Sequence, residues 1–270
     1  EEADQILELL KDQVIDWMII DHYGINSICE SILKKHIKNI MVIDDLAKEN
    51  HECDVLLNTN FFSDNFRQYQ KLTSLNCKLL LGPNYAILSD DYLKTNKKKT
   101  NNKNEFRILI FLGTDPVNLT SDVFNELNID NFKDIYIDLV IGNNNPLEKL
   151  LHQKAKIRKR TTIYKSLPNL VDLMRRADLS IGAGGISLWE RIYFCLPTIL
   201  LCTAENQKRM CITASNLGLV DYLGSSKFFD KKKLVKSVQN MIDNKKDFKS
   251  KLDFLIDGKG VSRITEIITK

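Results

Sequence analysis

Residues 181–200 of the chain read IGAGGISLWERIYFCLPTIL, and this stretch decides the fold. An apolar run ends in Gly-Ala-Gly-Gly, a helical pattern of apolar residues covers 186–195, and a second apolar run follows Pro197. Short apolar runs bounded by turn residues indicate buried strands, and the periodic segment between them indicates an amphipathic helix. The stretch therefore predicts a strand, a glycine turn, a helix and a second strand parallel to the first.

The glycine turn is also the strongest candidate for a ligand site. In open parallel sheets, ligands bind beyond the carboxyl ends of the strands, where glycines let the backbone approach a ligand closely. The N–H groups of Gly185, Ile186 and Ser187 would face an anion, assisted by the helix dipole. Glu190 follows one turn later, where its carboxylate could accept hydrogen bonds from the two adjacent hydroxyls of a ribose. The same residues are also typical of an ordinary glycine turn of an α/β fold, with Glu190 as a first-turn helix charge.

Similar units extend outward from this stretch. Helical patterns alternate with five apolar runs that predict strands, at 107–113 (RILIFLG), 134–142 (DIYIDLVIG), 161–167 (TTIYKSL), 179–185 (LSIGAGG) and 197–202 (PTILLC). This alternation predicts an α/β domain with a doubly wound parallel sheet. We assign residues 107–270 to that domain, including two amphipathic helical patterns near the end of the chain.

The first third of the chain repeats the pattern. Its four short apolar runs predict strands covered on both faces, and they lie at 17–21, 40–44, 54–60 and 77–82. We expect residues 1–92 to form part of another Rossmann-like domain. Residues 93–106 (LKTNKKKTNNKNEF) are rich in lysine and asparagine and nearly devoid of apolar side chains, which predicts a linker.

The composition limits the partners. Lysine and arginine number 39 against 35 acidic residues, which is too balanced to indicate nucleic-acid binding but suits a local pocket for an anion. No apolar run reaches the ~18 residues of a membrane span, and the opening EEADQILELL does not resemble a signal peptide. The six cysteines form no CxxC pair, which predicts reduced, buried thiols. We expect a cytoplasmic monomer without a metal or other cofactor, and a capping role for Asp44 and Asp45 rather than Mg²⁺ binding.

The order of motifs in the second domain resembles the peptidoglycan N-acetylglucosaminyltransferase (MurG-like) class, which has the two-domain glycosyltransferase-B fold. The resemblance is carried by a strand ending in Gly-Thr-Asp and, later, by a helix, RRAD, a strand, GAGG and a helix with glutamate and proline. It implies that the chain binds UDP. The backbone at Ser166 and Leu167 would meet the uracil, and Glu190 would hold the ribose. The turn from Gly184 to Ser187 and the Gly113–Thr114 loop would hold the diphosphate.

Motifs of the first domain narrow the resemblance. DHYGI (21–25), VIDDLA (42–47), CDVLLNTN (53–60), GPNYAIL (82–88) and ENQ (205–207) occur in this order and together resemble the PseG family of pseudaminic acid biosynthesis, a pathway linked to flagellin glycosylation. The resemblance implies hydrolysis of UDP-2,4-diacetamido-2,4,6-trideoxy-β-L-altropyranose, with water attacking the anomeric carbon.

Three residues become catalytic candidates through this resemblance. Tyr23 and Asn206 would lie around the sugar and the attacking water, with Gln207 binding the substrate, and His22 is the third candidate. Taken alone, the three are more typical of a packed turn tyrosine, a helix N-cap and a hydrogen-bonded structural histidine.

The chain departs from the family at its start. The family begins with a strand and a Gly-x-Gly-His-x-x-Arg loop, whose histidine is expected to activate water, and about 70 residues with that loop have no counterpart here. We therefore expect an incomplete first sheet. The chain is a fragment, receives the missing part from another chain, or is a short protein that is noncatalytic or uses His22. A UDP-sugar-dependent glycosyltransferase and a noncatalytic UDP-sugar binding fragment stay open as alternatives to the hydrolase.

Overall fold

The computed structural model describes residues 1–11, 13–61, 64–97, 100, 105–113, 115, 118–244 and 255–269. The chain divides into two compact units, which we call the first unit (Glu1–Ile87 with Gly258–Lys270) and the second unit (Leu88–Asp257). Each unit is built on a parallel β-sheet, of four strands in the first and six in the second. The two sheets confirm the α/β class that the alternating apolar runs predict.

The sheet of the first unit follows the order of the chain. Its strands are β1 (Trp17–Ile20), β2 (Asn39–Ile43), β3 (Val55–Asn58) and β4 (Lys78–Leu81), with neighbours in sequence also neighbours in the sheet. Successive side chains of a strand point to opposite faces, so an apolar run fills two cores. Ile40 and Val42 of β2 join one buried cluster, and Met41 between them joins the other.

In the described part of the first unit, four α-helices cover this sheet. They are α1 (Glu2–Leu9), α2 (Ser27–Leu33), α3 (Asn65–Leu72) and, from the end of the chain, α11 (Gly260–Ile268). Ile264 of α11 packs in the cluster that contains Met41 and Leu57, and Arg263 donates a hydrogen bond to the carbonyl of Asn84 at 2.8 Å. Gly260 lies so close to the carbonyl of Ala86 that a side chain there would collide with it.

The second unit is a doubly wound sheet with the strand order β10-β9-β8-β5-β6-β7. The strands are β5 (Arg107–Phe111), β6 (Tyr136–Ile141), β7 (Thr161–Lys165), β8 (Leu179–Ala183), β9 (Thr198–Cys202) and β10 (Asp221–Ser225). The first strand of this unit, β5, lies in the middle of the sheet. β6 and β7 follow on one side of it, and β8 pairs with its other side. The order therefore reverses between β5 and β8, and the carboxyl ends of these two strands border the crevice where ligands bind in such sheets.

Seven helices belong to the described part of the second unit. They are α4 (Asp90–Leu93), α5 (Leu119–Glu126), α6 (Glu148–Arg158), α7 (Val171–Arg176), α8 (Ser187–Tyr193), α9 (Lys208–Asn216) and α10 (Lys231–Asn244). Every residue of β8 and β9 is buried, as expected for inner strands. No described helix of either unit is long and apolar enough to cross a membrane.

The structure divides the chain at different places than the sequence pattern suggests. The predicted second domain ran from 107 to 270, but Gly258–Lys270 belongs to the first unit, because the apolar face of α11 packs on the first sheet. The predicted first domain ended at residue 92, but Leu88 and the residues after it belong to the second unit. Much of the predicted linker, 98–99 and 101–104, lies outside the described residues.

The position of α11 predicts the effect of a core substitution. Ile264→Ala should lower the free energy of unfolding of the first unit by about 2–5 kcal/mol, because it leaves a cavity in the core. The chain has two tryptophans, Trp17 in the first unit and Trp189 in the second. In a Trp189→Phe background, the denaturation midpoint measured by Trp17 fluorescence should therefore fall.

The matched control is Val261→Ala on the more exposed side of the same helix, which should change the midpoint little. A shift of the Trp189 transition instead, measured in a Trp17→Phe background, would contradict the assignment of α11 to the first unit.

Candidate functional site

The turn after β8 begins with two glycines, at the place where the strand order reverses. Gly184 and Gly185 follow Ala183 directly, the side chain of Ile186 points to solvent with 72% of its surface exposed, and α8 begins at Ser187. The N–H groups at the start of a helix have no partner within the helix. The turn therefore presents backbone donors to a ligand without a side chain in the way.

Glycine is required in this segment because other elements occupy the side-chain positions. A Cβ on Gly182 would collide with the guanidinium of Arg191, and a Cβ on Gly184 would collide with the thiol of Cys211 in α9. Gly182 lies within β8 and pairs in register with Phe111 of β5. The two glycines thus let α8 and α9 pack closely against the carboxyl end of β8.

Gln207 brings a side-chain amide to this turn. It ends a short 3-10 turn (Glu205–Gln207) after β9, and its Oε1 accepts hydrogen bonds from the backbone N–H and the hydroxyl of Thr203, at 3.2 and 3.1 Å. These bonds direct its Nε2 toward Gly185, 3.7 Å from where a Cβ would stand. The amide therefore adds a donor to those of the backbone. Asn206, beside it, is exposed.

Glu190 lies in the first turn of α8, where it interacts with Tyr92. The buried Tyr92 hydroxyl interacts with Glu190 and accepts a hydrogen bond from the backbone N–H of Leu170 at 3.2 Å. Burial raises the pKa of Glu190, while the Tyr92 hydroxyl and the charge of Arg191 act in the opposite direction. Tyr92 thus joins Glu190 to the segment that follows β7.

Ser166 and Leu167 lie in that segment, between β7 and α7. Ser166 has the left-handed backbone conformation, with φ +54°, and its hydroxyl is hydrogen-bonded to Asn143 in the loop after β6. Leu167 is 37% exposed. The backbone N–H of Leu170, at the end of the segment, donates a hydrogen bond to the Tyr92 hydroxyl. The segment and Glu190 therefore both contact Tyr92.

The turn after β5 is arranged differently from the turn after β8. Gly113 has φ +71°, and the buried Asp115 accepts hydrogen bonds from the N–H groups of Leu119 and Thr120 at 2.7 and 2.9 Å. The start of α5 is thus capped by a carboxylate of the chain, which leaves little room for an external anion there. Thr114, the other predicted diphosphate ligand of this loop, lies outside the described residues.

An open cleft of about 410 Å³ lies beside this turn, at the carboxyl ends of β5 and β6. Among the described residues, its lining is dominated by asparagine and includes Asp115, Asn118, Gly142, Asn143, Asn144, Asn145 and Pro146. The cleft adjoins the loop that holds Ser166, because Asn143 bonds to that residue.

The first unit carries the two other predicted catalytic residues at the carboxyl end of β1. Tyr23 is 63% exposed, and its hydroxyl donates a hydrogen bond to Asp45 at 2.7 Å. The Nδ1 of His22 accepts a hydrogen bond from the backbone N–H of Gly24 at 3.0 Å, so a neutral His22 carries its proton on Nε2. In that tautomer the outer nitrogen is a donor, which makes His22 poorly suited to deprotonate water.

Asp44 has a structural role, as expected from its position after a strand. Its two carboxylate oxygens accept hydrogen bonds from the N–H groups of Leu46 and Ala47, and the buried Tyr69 hydroxyl donates a third at 2.7 Å. The turn fixed in this way presents the neighbouring Asp45 to Tyr23. Across the described residues, no group of three metal-binding side chains converges.

Three residues of the second unit escaped the sequence-based prediction. Nothing local marks Tyr92 or Cys211, because their contacts join parts of the chain that are distant in sequence. Arg191 carries a signal: helical spacing from Leu188 places it on the apolar face of α8. A charge on a buried helical face is uncommon and points to a special role.

Comparisons with known proteins include two relatives of which the chain covers more than two thirds. The chain is 27% identical over 205 residues to the UDP-2,4-diacetamido-2,4,6-trideoxy-beta-L-altropyranose hydrolase of Campylobacter jejuni, covering 76% of this chain and 72% of that protein. It is 24% identical over 276 residues to the spore coat polysaccharide biosynthesis protein SpsG of Bacillus subtilis, covering 97% and 79%. No protein-family model matches the chain.

Solved structures with the same architecture are more distant in sequence. The chain is similar to S. aureus MnaA in its co-structure with UDP, with a TM-score of 0.65, 12% identity and coverage of 99% of this chain and 76% of that one. It is also similar to Acinetobacter baumannii MurG, with a TM-score of 0.60, 10% identity and coverage of 99% and 76%. These likenesses confirm the predicted glycosyltransferase-B type of fold with two Rossmann-like domains.

The contact between Gly184 and Cys211 predicts a pair of coupled substitutions. Gly184→Ala should lower the free energy of unfolding of the second unit by about 1–3 kcal/mol, because the new methyl group overpacks against the thiol. In a Cys211→Ala background the same substitution should cost much less, since the sulfur is gone. Denaturation followed by Trp189 fluorescence measures both effects.

Gly142→Ala is the matched control, because no atom lies within 4 Å of its Cβ position and it should change stability little. Equal costs of Gly184→Ala with and without the sulfur of Cys211 would show that close packing is not the reason for this glycine.

Proposed function

We propose that the second unit binds the UDP part of a nucleotide sugar and that the chain hydrolyses this substrate. The observation that carries the proposal is the arrangement at the carboxyl end of β8, where the Gln207 amide lies beside an unobstructed turn and Glu190 follows in the first turn of the helix. The 27% identity to a UDP-sugar hydrolase supports the same conclusion.

Each part of UDP has a chemical counterpart in this arrangement. The N–H groups of Gly185, Ile186 and Ser187, with the Nε2 of Gln207, are donors suited to the diphosphate. The Glu190 carboxylate accepts hydrogen bonds from the two ribose hydroxyls. A uracil ring would pair its amide edge with the backbone at Ser166 and Leu167. Because Tyr92 joins this segment to Glu190, base and ribose would be held by one connected group.

The proposed reaction is a single displacement at the anomeric carbon. Water forms a bond to that carbon, the bond to the diphosphate oxygen breaks, and UDP leaves with the electron pair while a general base accepts the proton of water. UDP is a good leaving group, and fixed donors at the turn stabilise its charge without rearrangement. We assign Tyr23 and Asn206 to the sugar and the water. His22 is the weakest of the three candidates, because its Nδ1 already accepts a hydrogen bond from Gly24.

The test uses the whole chain with UDP-2,4-diacetamido-2,4,6-trideoxy-β-L-altropyranose and no sugar acceptor. Release of UDP and the free sugar in equal amounts, measured by chromatography, is the expected result, and UDP-N-acetylglucosamine serves as the comparison substrate. Turnover that requires an added acceptor would identify a glycosyltransferase instead. Binding of UDP without any turnover would contradict hydrolysis by this chain and indicate a binding module or a fragment without its general base, and absence of UDP binding would overturn the proposal.

The ribose assignment predicts that Glu190→Ala weakens UDP binding about 10- to 150-fold, which corresponds to the ~1.5–3 kcal/mol of a hydrogen bond to a charged group. Calorimetry with UDP and with 2′-deoxy-UDP measures the effect. The loss should be smaller for the deoxy compound, because one of the two ribose hydroxyls is missing.

Glu205→Ala is the control, because this exposed glutamate makes only a weak surface ion pair with Lys208 at 3.6 Å. Unchanged UDP affinity in the Glu190 variant would exclude it as the ribose ligand.

The assignment of Tyr23 predicts a different pattern. Tyr23→Phe should lower the turnover rate at least about tenfold, since it removes a group that orients the reacting water. UDP affinity should barely change, because Tyr23 belongs to the first unit and UDP to the second. Steady-state kinetics and calorimetry separate the two.

Tyr85→Phe makes the same chemical change elsewhere in the first unit and should leave turnover unaffected. If Tyr23→Phe reduced UDP affinity as much as turnover, its role would be structural.

A further inference from the structure

Arg191 is a cation buried inside the second unit. The residue lies in α8 next to Glu190 and is 1% exposed, and its Nη2 donates a hydrogen bond to the carbonyl of Ala183. Its Nε and Nη1 are buried without a hydrogen-bond partner in the part of the chain that the structure describes. A guanidinium has five N–H groups, so most of its capacity to donate is unused.

This arrangement is costly unless something offsets it. Burial lowers the pKa of Arg191 to about 10, so the group still carries its charge at neutral pH. No ion pair to Arg191 is recorded among the described residues, although the charge of Glu190 acts on it from the neighbouring position. A buried charge without a hydrogen-bonded counter-ion destabilises a fold. Such a group is therefore expected to serve a ligand of opposite charge.

The location of the guanidinium indicates which ligand. It occupies the place that a side chain of Gly182 would take, beside the carbonyl of Phe111, where β8 and β5 pair at the reversal of the strand order. Its bond to the Ala183 carbonyl lies one peptide before Gly184, at the start of the unobstructed turn. The buried charge thus lies directly behind the donors that face the crevice.

We propose that Arg191 is a positioning residue for the diphosphate of a bound nucleotide, acting through the turn without touching the ligand. It places an unscreened positive charge behind the turn. Its hydrogen bond to the Ala183 carbonyl also fixes the peptide at the start of the turn, directly before the N–H groups assigned to the diphosphate. The ligand class is a nucleoside diphosphate, and the proposal rests on the proposed binding of UDP in the second unit.

Gly182 then has a functional reason to be glycine. Any side chain at this position would displace the guanidinium from the strand end. A purely structural role for Arg191, as a link between α8 and β8 through Ala183, would affect every ligand of the unit equally. A role in diphosphate binding affects only ligands that carry phosphate.

The test compares UDP with uridine, which lacks the phosphates, by calorimetry on the whole chain. Arg191→Met removes the charge and keeps an apolar side chain of similar length, so the variant should fold, because apolar replacement of a buried charge is often tolerated. We expect UDP affinity to fall about 10- to 100-fold and uridine affinity to change less than about twofold. Arg191→Lys keeps the charge and should retain most of the UDP affinity.

A second measurement uses the wild-type chain, in case Arg191→Met does not fold. The Nε–H signal of Arg191 in an ¹⁵N-arginine NMR spectrum, assigned through its loss in Arg191→Lys, should shift on addition of UDP and not on addition of uridine.

Equal losses of UDP and uridine affinity in Arg191→Met, or equal NMR shifts with both ligands, would overturn the role of Arg191 while leaving UDP binding intact. A wild-type chain that binds neither ligand would overturn the proposed function itself.

Discussion

The second unit depends on the close approach of two helices to one strand end, which is possible only because Gly182 and Gly184 carry no side chain. The guanidinium of Arg191 and the thiol of Cys211 fill the two vacated positions. This packing draws α8 and α9 onto β8 and brings Gln207, at the start of α9, beside Gly185. A methyl group at either glycine would collide with the guanidinium of Arg191 or the thiol of Cys211 and force that side chain to move.

The strand order gives this packing its chemical meaning. β8 pairs with β5, and the strand order reverses between them. The turn after β8 therefore borders the crevice where ligands bind in such sheets. At the neighbouring turn, the Asp115 carboxylate caps α5 and accepts hydrogen bonds from the N–H groups of Leu119 and Thr120. An anion can therefore bind at the turn after β8, whereas at the turn after β5 the Asp115 carboxylate already takes such a place. Tyr92 adds a second contact, since its hydroxyl interacts with Glu190 and accepts a hydrogen bond from Leu170 in the segment after β7.

Much of this fold could be predicted from the sequence, and the exceptions have physical causes. Apolar runs bounded by glycine mark the inner strands, because such strands are buried on both faces. The edge strand β10 (Asp221–Ser225) escaped because it is only partly buried and its sequence, DYLGS, is not an apolar run. The last helix was assigned to the wrong sheet, since an amphipathic pattern shows that a face is buried but not against which partner.

The candidate site likewise has residues that the sequence predicts and residues that it does not. The turn and Glu190 follow from a local pattern of strand, glycines and helix. The roles of Tyr92 and Cys211 depend on contacts across long stretches of chain, such as the 78 residues that separate Tyr92 from Leu170. A local pattern contains no trace of such contacts. Arg191 was within reach of the sequence, because helical spacing already places its charge on the buried face of α8.

The central claim is that the turn after β8 receives the diphosphate of a nucleotide. A crystal structure of the chain with UDP tests it most directly, through the distances from the phosphate oxygens to the backbone nitrogens of Gly185, Ile186 and Ser187. We predict hydrogen-bond distances of about 2.7–3.2 Å to at least two of these nitrogens, with the ribose on Glu190. UDP bound instead in the asparagine-lined cleft at the ends of β5 and β6, with the turn after β8 empty, would contradict it.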